Sequence, residues 1–280
     1  MIYLLIAILL ILSLYLLIYK NIQHSPKNNN ETAFEPQIPM DSERLLPTKN
    51  TLKTSQNKYN NVRTAYQAKE NYIANLLHFY HVDPKKCELY LRAFKSEGIL
   101  ELWIKNQEDR QFQLAKSYAI CKASGTIGPK RKEGDRQVPE GFYQIDRLNP
   151  KSKYFLSMHI NYPNFSDRIF ADKKNPGSLI FIHGNCVSIG CLPITDDKIM
   201  ELYILCVEAM ENGQKSIPIT IFPTKLEEKT FTKLTKKYAQ HANTVNLWKD
   251  LKAAYTAFNE YKTPQNIIFL DNGRVRIEHD

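Results

Sequence analysis

The sequence predicts an α+β fold, a series of short strands bracketed by helices, from three observations. Its 280 residues include sixteen Tyr and thirteen Phe but only ten Gly, the make-up of a well-packed mixed or β-rich core. Apolar stretches of strand length, separated by turn residues, recur between residues 87 and 184. Helical spacing of apolar residues precedes that series and follows it. At 43% hydrophobic and 24% charged the chain is ordinary globular material, which excludes disorder throughout, a collagen and a multi-span membrane protein.

Residues 1–19, MIYLLIAILLILSLYLLIY, carry no charge. As a helix they would extend roughly 28 Å, close to a bilayer's hydrocarbon thickness. The run lacks a basic start and a small-residue cleavage site, so an uncleaved anchor over 1–20 is expected. Lys20 and Lys27 follow it, and the positive-inside rule alone would keep the rest in the cytoplasm. Residues 21–61 turn polar and rich in Asn, Lys, Thr and Pro, as in a tether.

Val62, Tyr66, Ile73, Leu76, Leu77 and Tyr80 fall at helical intervals over 61–80. CELYLRAF (87–94) and ILELWIK (99–105) form a hairpin across KSEG. Strands are expected at 112–120, 141–145, 154–160, 178–184 and 217–222. The glycines, prolines and mixed charges of 121–140 mark a surface loop, with Lys130, Arg131 and Lys132 as a solvated basic turn. A helix over 195–212 starts with Asp196 and Asp197, where the helix dipole favours anions. Two more helices, 226–238 and 245–261, precede a hairpin turning at Asn272-Gly273.

The chemistry concentrates in SLIFIHGNCVSIGCLPITDD (178–197). An apolar strand delivers His183 and Gly184, and Cys191, flanked by Gly190, precedes a helix. A cysteine nucleophile needs thiolate character, an imidazole to take its proton and backbone donors for an oxyanion, and this segment can supply all three. Two other readings remain open. His183, Cys186 and Cys191, with His159 or Cys121, could ligate zinc, although H-x2-C-x4-C lacks two close pairs. Cys186 could pair with Cys121 in a disulfide, leaving Cys191 free. The five cysteines cannot all pair within one chain.

This segment resembles the catalytic signature of the L,D-transpeptidase (YkuD-type) cysteine enzymes, and more closely their YafK-like subgroup. YAICKASGTIGPKRKEGDRQVPEGFYQI, LNPKSKYFLSMHINYPN, FIHGNCVSIGCLPITDDKIMELY and IPITIFP match in the expected order. The resemblance implies a mixed-sheet or β-sandwich-like catalytic domain over 87–225. An amphipathic helix (62–86) would precede it and a helical extension with the terminal hairpin (226–280) would follow. Position by position it implies Cys191 as nucleophile, His183 as general base and Gly184 as the carbonyl that orients the imidazole. Ser188 and Gly190 would shape the loop, with the Gly190 and Cys191 amides as oxyanion donors. Ile189 stands where the wider family has His, Pro193 where it commonly has Arg, and the His-to-Cys spacing is shorter. These departures favour hydrolysis.

The implied substrate is a peptidoglycan stem peptide, attacked at diaminopimelate to give a thioester, with no metal or other cofactor. Transpeptidase, L,D-carboxypeptidase and amidase outcomes share that step, and a wall-attached protein is a candidate partner. A non-catalytic tether between membrane and wall is the alternative. Such a substrate places the domain in the bacterial periplasm on a single inner-membrane pass, against the charge rule. Tyr162, Asn164 and Arg168, in a loop before the active-site strand, are candidate substrate contacts, Arg168 through a carboxylate. Pro139, Gly141, Phe142 and Tyr143 read as a turn into a strand, and His159 as a core residue. The net charge of +9 suits an anionic wall or membrane surface, while no motif or dense basic helix supports nucleic-acid binding.

Overall fold

A computed structural model describes residues 51–278; the expected anchor and most of the expected linker lie outside them. Among the described residues no helix is long and apolar enough to cross a membrane. The linker ends earlier than its composition suggests. Helix α1 (Leu52–Gln56) is N-capped by Thr51, and α2 (Asn60–Phe79) follows at once. Polar contacts hold this start rather than apolar ones: Glu211 accepts from the Lys53 amide at 3.0 Å, and the Tyr203 hydroxyl donates to Gln56 at 2.6 Å.

The strands β1 (Cys87–Phe94), β2 (Ile99–Asn106), β3 (Gln113–Ala119), β4 (Gly141–Asn149), β5 (Ser157–Ile160), β6 (Ile180–His183), β7 (Leu192–Pro193) and β8 (Ile217–Phe222) make one sheet. Its order is β3-β2-β1-β8-β4-β5-β6-β7. Pairing is antiparallel except for β1 with β8 and β6 with β7, so the sheet is mixed. The expected sandwich is not formed. Helices cover both faces instead of a second sheet, and β9 (Asn266–Phe269) with β10 (Val275–Glu278) is a separate small hairpin.

Strand alternation sorts side chains between two cores. Leu89, Leu91, Tyr143, Ile145, Met158, Ile160 and Ile182 face α2 and α4 (Asp196–Glu211), which share their cluster; the α2 region is therefore part of the domain. On the opposite face Phe94, Phe142 and Phe222 pack against α5 (Glu228–Lys237) and α6 (Ala242–Tyr261). Trp248 of α6 is fully buried and its indole N–H donates to Glu140 at 2.7 Å. Glu140 also pairs with Lys95 at 2.8 Å, so a buried carboxylate is fully partnered. The C-terminal helices thus cover the β1–β8 end of this face, while His183 and Cys191 belong to the β6–β7 end.

Removing the indole would leave both a cavity and an underserved carboxylate. Trp248→Ala is expected to lower unfolding free energy by about 3–5 kcal/mol, measured by urea denaturation.

Candidate active site

The apolar run IFIH makes β6, and His183 is its last residue. Leu156 accepts from the Gly184 amide at 3.1 Å where the chain turns away. A Cβ on Gly184 would lie 2.6 Å from the Tyr154 carbonyl and would also press on the Asp196 carboxylate, so only glycine fits. Asp196 accepts from the Asn185 amide at 2.6 Å. It therefore anchors the loop as well as sitting in the first turn of α4, the role the sequence suggested for it.

His183 is buried and stacked on Tyr154, with ring centroids 4.4 Å apart. Its Nδ1 lies 2.5 Å from the Gly184 carbonyl oxygen. A carbonyl can only accept, so Nδ1 carries the proton and Nε2 is the basic nitrogen. Burial holds the imidazole pKa below its usual value, against the pull of the Gly184 carbonyl towards the charged form. The ring is thus a neutral base with a fixed tautomer.

Pairing of Ile182 with Leu192 and of His183 with Pro193 places Cys191 opposite Phe181. His183 and Cys191 therefore project from one face of adjacent strands, one row apart. Among the described residues no hydrogen bond joins the imidazole to the thiol; Cys191 Sγ instead donates to the Leu179 carbonyl at 3.8 Å. Burial raises the thiol pKa, opposed by a hydrogen bond from the Phe181 amide and by the charge of Lys130. The resting pair is neutral thiol and neutral imidazole.

Lys130 is a correction to the sequence reading. It is buried rather than solvated, paired with Asp135 at 2.7 Å and donating to the Lys132 carbonyl. Its neighbour Arg131 pairs at 3.0 Å with buried Asp167, which burial raises to about 6. Nothing in the run KRK marks which lysine goes inside.

The two expected oxyanion donors are occupied at rest. Ser188 Oγ accepts from the amides of Gly190 at 3.2 Å and Cys191 at 3.0 Å, and donates to the Cys191 carbonyl at 2.8 Å. A serine hydroxyl readily caps the amides two and three residues on. Both proposed donors are therefore engaged at rest, and the Ser188 hydroxyl holds the position that an oxyanion would take. Gly190 has φ +134°, and a side chain there would meet the Gln137 carbonyl at 3.1 Å.

Cys121 and Cys186 form a disulfide, with Cα atoms 5.7 Å apart. This settles the open choice: Cys186 is not a zinc ligand, and among the described residues no group of three His, Cys, Asp or Glu side chains could hold a metal. Cys191 stays free. The bridge, a hydrogen bond from the Cys121 N–H to the Pro193 carbonyl at 2.9 Å and a Ser124–Ser188 hydroxyl contact at 3.1 Å clamp the Cys191 loop to the segment after β3.

The three expected substrate contacts divide. Arg168 lines a cleft of about 500 Å³ that reaches Leu179, beside the thiol. Arg147, Lys174 and His159 share that cleft, and Glu133 is its one acidic wall residue. His159 is buried as expected and also bonded to Asp146 at 2.6 Å. Tyr162 contributes a wall, but its buried hydroxyl donates to the Pro176 carbonyl at 2.9 Å, a structural bond. Asn164 does not reach the cleft. It caps helix α3 (Phe165–Phe170) in a capping box with Asp167 and donates to the Phe142 carbonyl. Leu179, Val187 and Ile189 are exposed at 63%, 46% and 79% on the two segments that meet at the thiol, an apolar rim the sequence did not reveal.

Residues 90–221 match the L,D-transpeptidase catalytic domain, YkuD. Over 188 residues the chain is 37% identical to "Putative L,D-transpeptidase YafK" of Escherichia coli strain K12, spanning 66% of this chain and 72% of that protein. The chain belongs to the L,D-transpeptidase (YkuD-type) family. The same identity and coverage hold for the protein of that name from Escherichia coli O157:H7. Among solved structures, the cell shape determining protein Pgp2 of Campylobacter jejuni is similar at TM-score 0.40 and 16% identity, over 66% of this chain and 74% of that one. Bd1075 of Bdellovibrio bacteriovorus aligns at TM-score 0.37 and 18% identity, over 68% and 79%.

A neutral resting pair has a distinct pH signature. Alkylation of Cys191 by iodoacetamide should rise with pH and inflect above the free-cysteine value of about 8.5, because the folded thiol pKa is raised. An inflection below neutrality would instead reveal a thiolate–imidazolium pair. Mass spectrometry of the labelled peptide reads the site.

Proposed function

We propose that this protein is a cysteine acyl-transfer enzyme of the cell wall, acting on peptidoglycan stem peptides. The observation that carries it is the tautomer of His183: with Nδ1 bound to the Gly184 carbonyl, Nε2 is the base, on the same sheet face as the free Cys191 thiol. Family membership and the YafK relatives support the substrate class.

His183 Nε2 takes the Sγ proton, and the thiolate attacks the carbonyl carbon at the L-centre of diaminopimelate. The carbon–nitrogen bond breaks, the imidazolium returns its proton to the leaving amine, and a thioester remains on Cys191. A second amine gives transpeptidation; water gives hydrolysis. Burial lowers the imidazole pKa and raises that of the thiol, so this proton transfer is uphill at rest, and the Phe181 amide and Lys130 charge reduce its cost at sulfur. Ser188 must swing aside for the Gly190 and Cys191 amides to receive the oxyanion. Arg147, Arg168 and Lys174 give the adjoining cleft the charge to hold peptide carboxylates.

The disulfide beside the nucleophile favours an oxidising compartment, consistent with an inner-membrane anchor and a periplasmic domain. The exposed Ile189 and the β7 residue Pro193 replace polar groups of the wider family, which favours water over an amine as acceptor.

Incubating isolated peptidoglycan with the protein and with Cys191→Ala, followed by muropeptide chromatography, tests the assignment. Wild type should release shortened stems or a stem-linked amine, with a thioester adduct on Cys191 by mass spectrometry, and the variant should lose at least about 10³-fold. Unchanged muropeptides with retained wall binding would leave the non-catalytic tether.

A further inference from the structure

A second cavity, of about 260 Å³, opens on the same face of the sheet as the thiol, between the sheet and the C-terminal segment. Its floor is Phe142 and Gln144 of β4 and Thr220 of β8, which the pairing Phe142–Thr220 and Gln144–Pro218 sets on one face. Ile145 and Ile160 point to the opposite core, so their neighbours Gln144 and His159 share the face of His183 and Cys191. Phe258 of α6 and Phe269 of β9 close the sides.

The chemistry of this cavity is unlike that of the basic cleft. Among the described residues no acidic or basic side chain lines it. It offers aromatic walls and side-chain amides: Gln144, Asn161, Asn164, Gln265 and Asn266. Gln265 donates through Nε2 to the Thr263 carbonyl at 2.7 Å, while its Oε1 is buried with no hydrogen-bond partner. A buried acceptor without a donor costs about 1–3 kcal/mol, so this oxygen calls for an N–H or O–H from a ligand or water. Asn161 Oδ1 accepts from the Gln144 backbone N–H at 2.8 Å, which leaves its NH₂ as the donor. An uncharged guest with an apolar face, hydroxyls and an amide fits this set; an ionised peptide group does not.

We propose that this cavity holds an N-acetylated sugar of the glycan strand while its stem peptide reaches the thiol. The proposal rests on the peptidoglycan reading above and deepens it. Across the sheet, β4 and β7 are three strand spacings apart, about 14 Å; the register sets Gln144, level with Asn161, two residues along from the row of His159, Phe181 and Cys191, which makes about 16 Å in all. Three extended residues, from sugar to the attacked carbonyl, span about 10–11 Å, and the sugar with its linkage covers the remainder. The basic cleft, with Arg147 of β4, His159 of β5 and the segment leading into β6, adjoins this path, and the peptide carboxylates would pass it. Neutral cavity, basic cleft and thiol thus follow the order of sugar, acidic peptide and scissile carbonyl.

Two measurements on the full chain test it. Di-N-acetylchitobiose, a sugar without peptide, should bind wild type saturably by NMR with shifts at Gln265 and Asn161, and Gln265→Leu should weaken it about 3–10-fold, the loss of one hydrogen bond. In turnover, a disaccharide-tetrapeptide should be preferred over the sugar-free tetrapeptide in kcat/KM, and Gln265→Leu should shrink that preference by the same factor while leaving the sugar-free rate unchanged. A melting curve confirms that the variant folds. Wild type without saturable chitobiose binding, or with equal kcat/KM on both peptides, overturns the sugar site and leaves the acyl-transfer reading intact. If neither peptide turns over, that reading fails, and chitobiose binding alone decides the cavity.

Discussion

The site depends on one constraint of chain geometry: β6 and β7 run parallel as neighbours, yet only the short span 184–191 joins them. Parallel strands normally need a crossover of about a dozen residues or more. Here β7 is two residues long, and the connection rises from the sheet and returns in the same direction. Such a path cannot bury its own side chains, which is why Val187 and Ile189 stand in solvent. It also cannot hold itself together. The Cys121–Cys186 bridge, the Asp196 carboxylate on Asn185 and the Ser188 hydroxyl replace the sheet hydrogen bonds the loop lacks. Of these supports only Cys121 comes from outside the segment 178–197.

The same face of the sheet carries three different solvation environments. At β1 and β8 it is sealed by Phe94, Phe222, Tyr255 and Trp248; beside Arg147 and His159 it is open and basic; between them lies a neutral, amide-lined hollow. The register makes this possible, since every strand contributes alternate residues to one side while the other side builds the α4 core. The irregularity between Ile145 and Arg147 keeps β4 in phase with β5 and delivers Arg147 opposite His159 on the open side.

Much of this was legible in the chain. IPITIF announces itself because both faces of the sheet are covered there, IFIH because its two isoleucines enter the core, and Asn272-Gly273 does lie at the hairpin turn. The His183–Cys191 segment was legible because one contiguous stretch holds both groups. The α1 segment LKTSQ was not, because hydrogen bonds to Tyr203 and Glu211 hold it and no apolar period exists to detect. The basic cleft draws Arg147, His159, Arg168 and Lys174 from separate segments, and the neutral cavity exists only once residues 264–269 fold back on β4 and β8. Asn164 caps a helix and lines the neutral cavity rather than the basic cleft, a placement that a polar loop residue does not announce.

Lys130 has a consequence for the surroundings in which the thiol works. Mobile ions weaken attraction between exposed charges once the Debye length, about 8–10 Å near physiological ionic strength, falls below their separation. A cation buried with Asp135 beneath the loop is reached by few of those ions. Its influence on sulfur therefore persists through changes in external salt that would silence the arginines of the open cleft. The surroundings of the Cys191 thiol thus depend little on external salt, while the open basic cleft loses its pull on anions as salt rises.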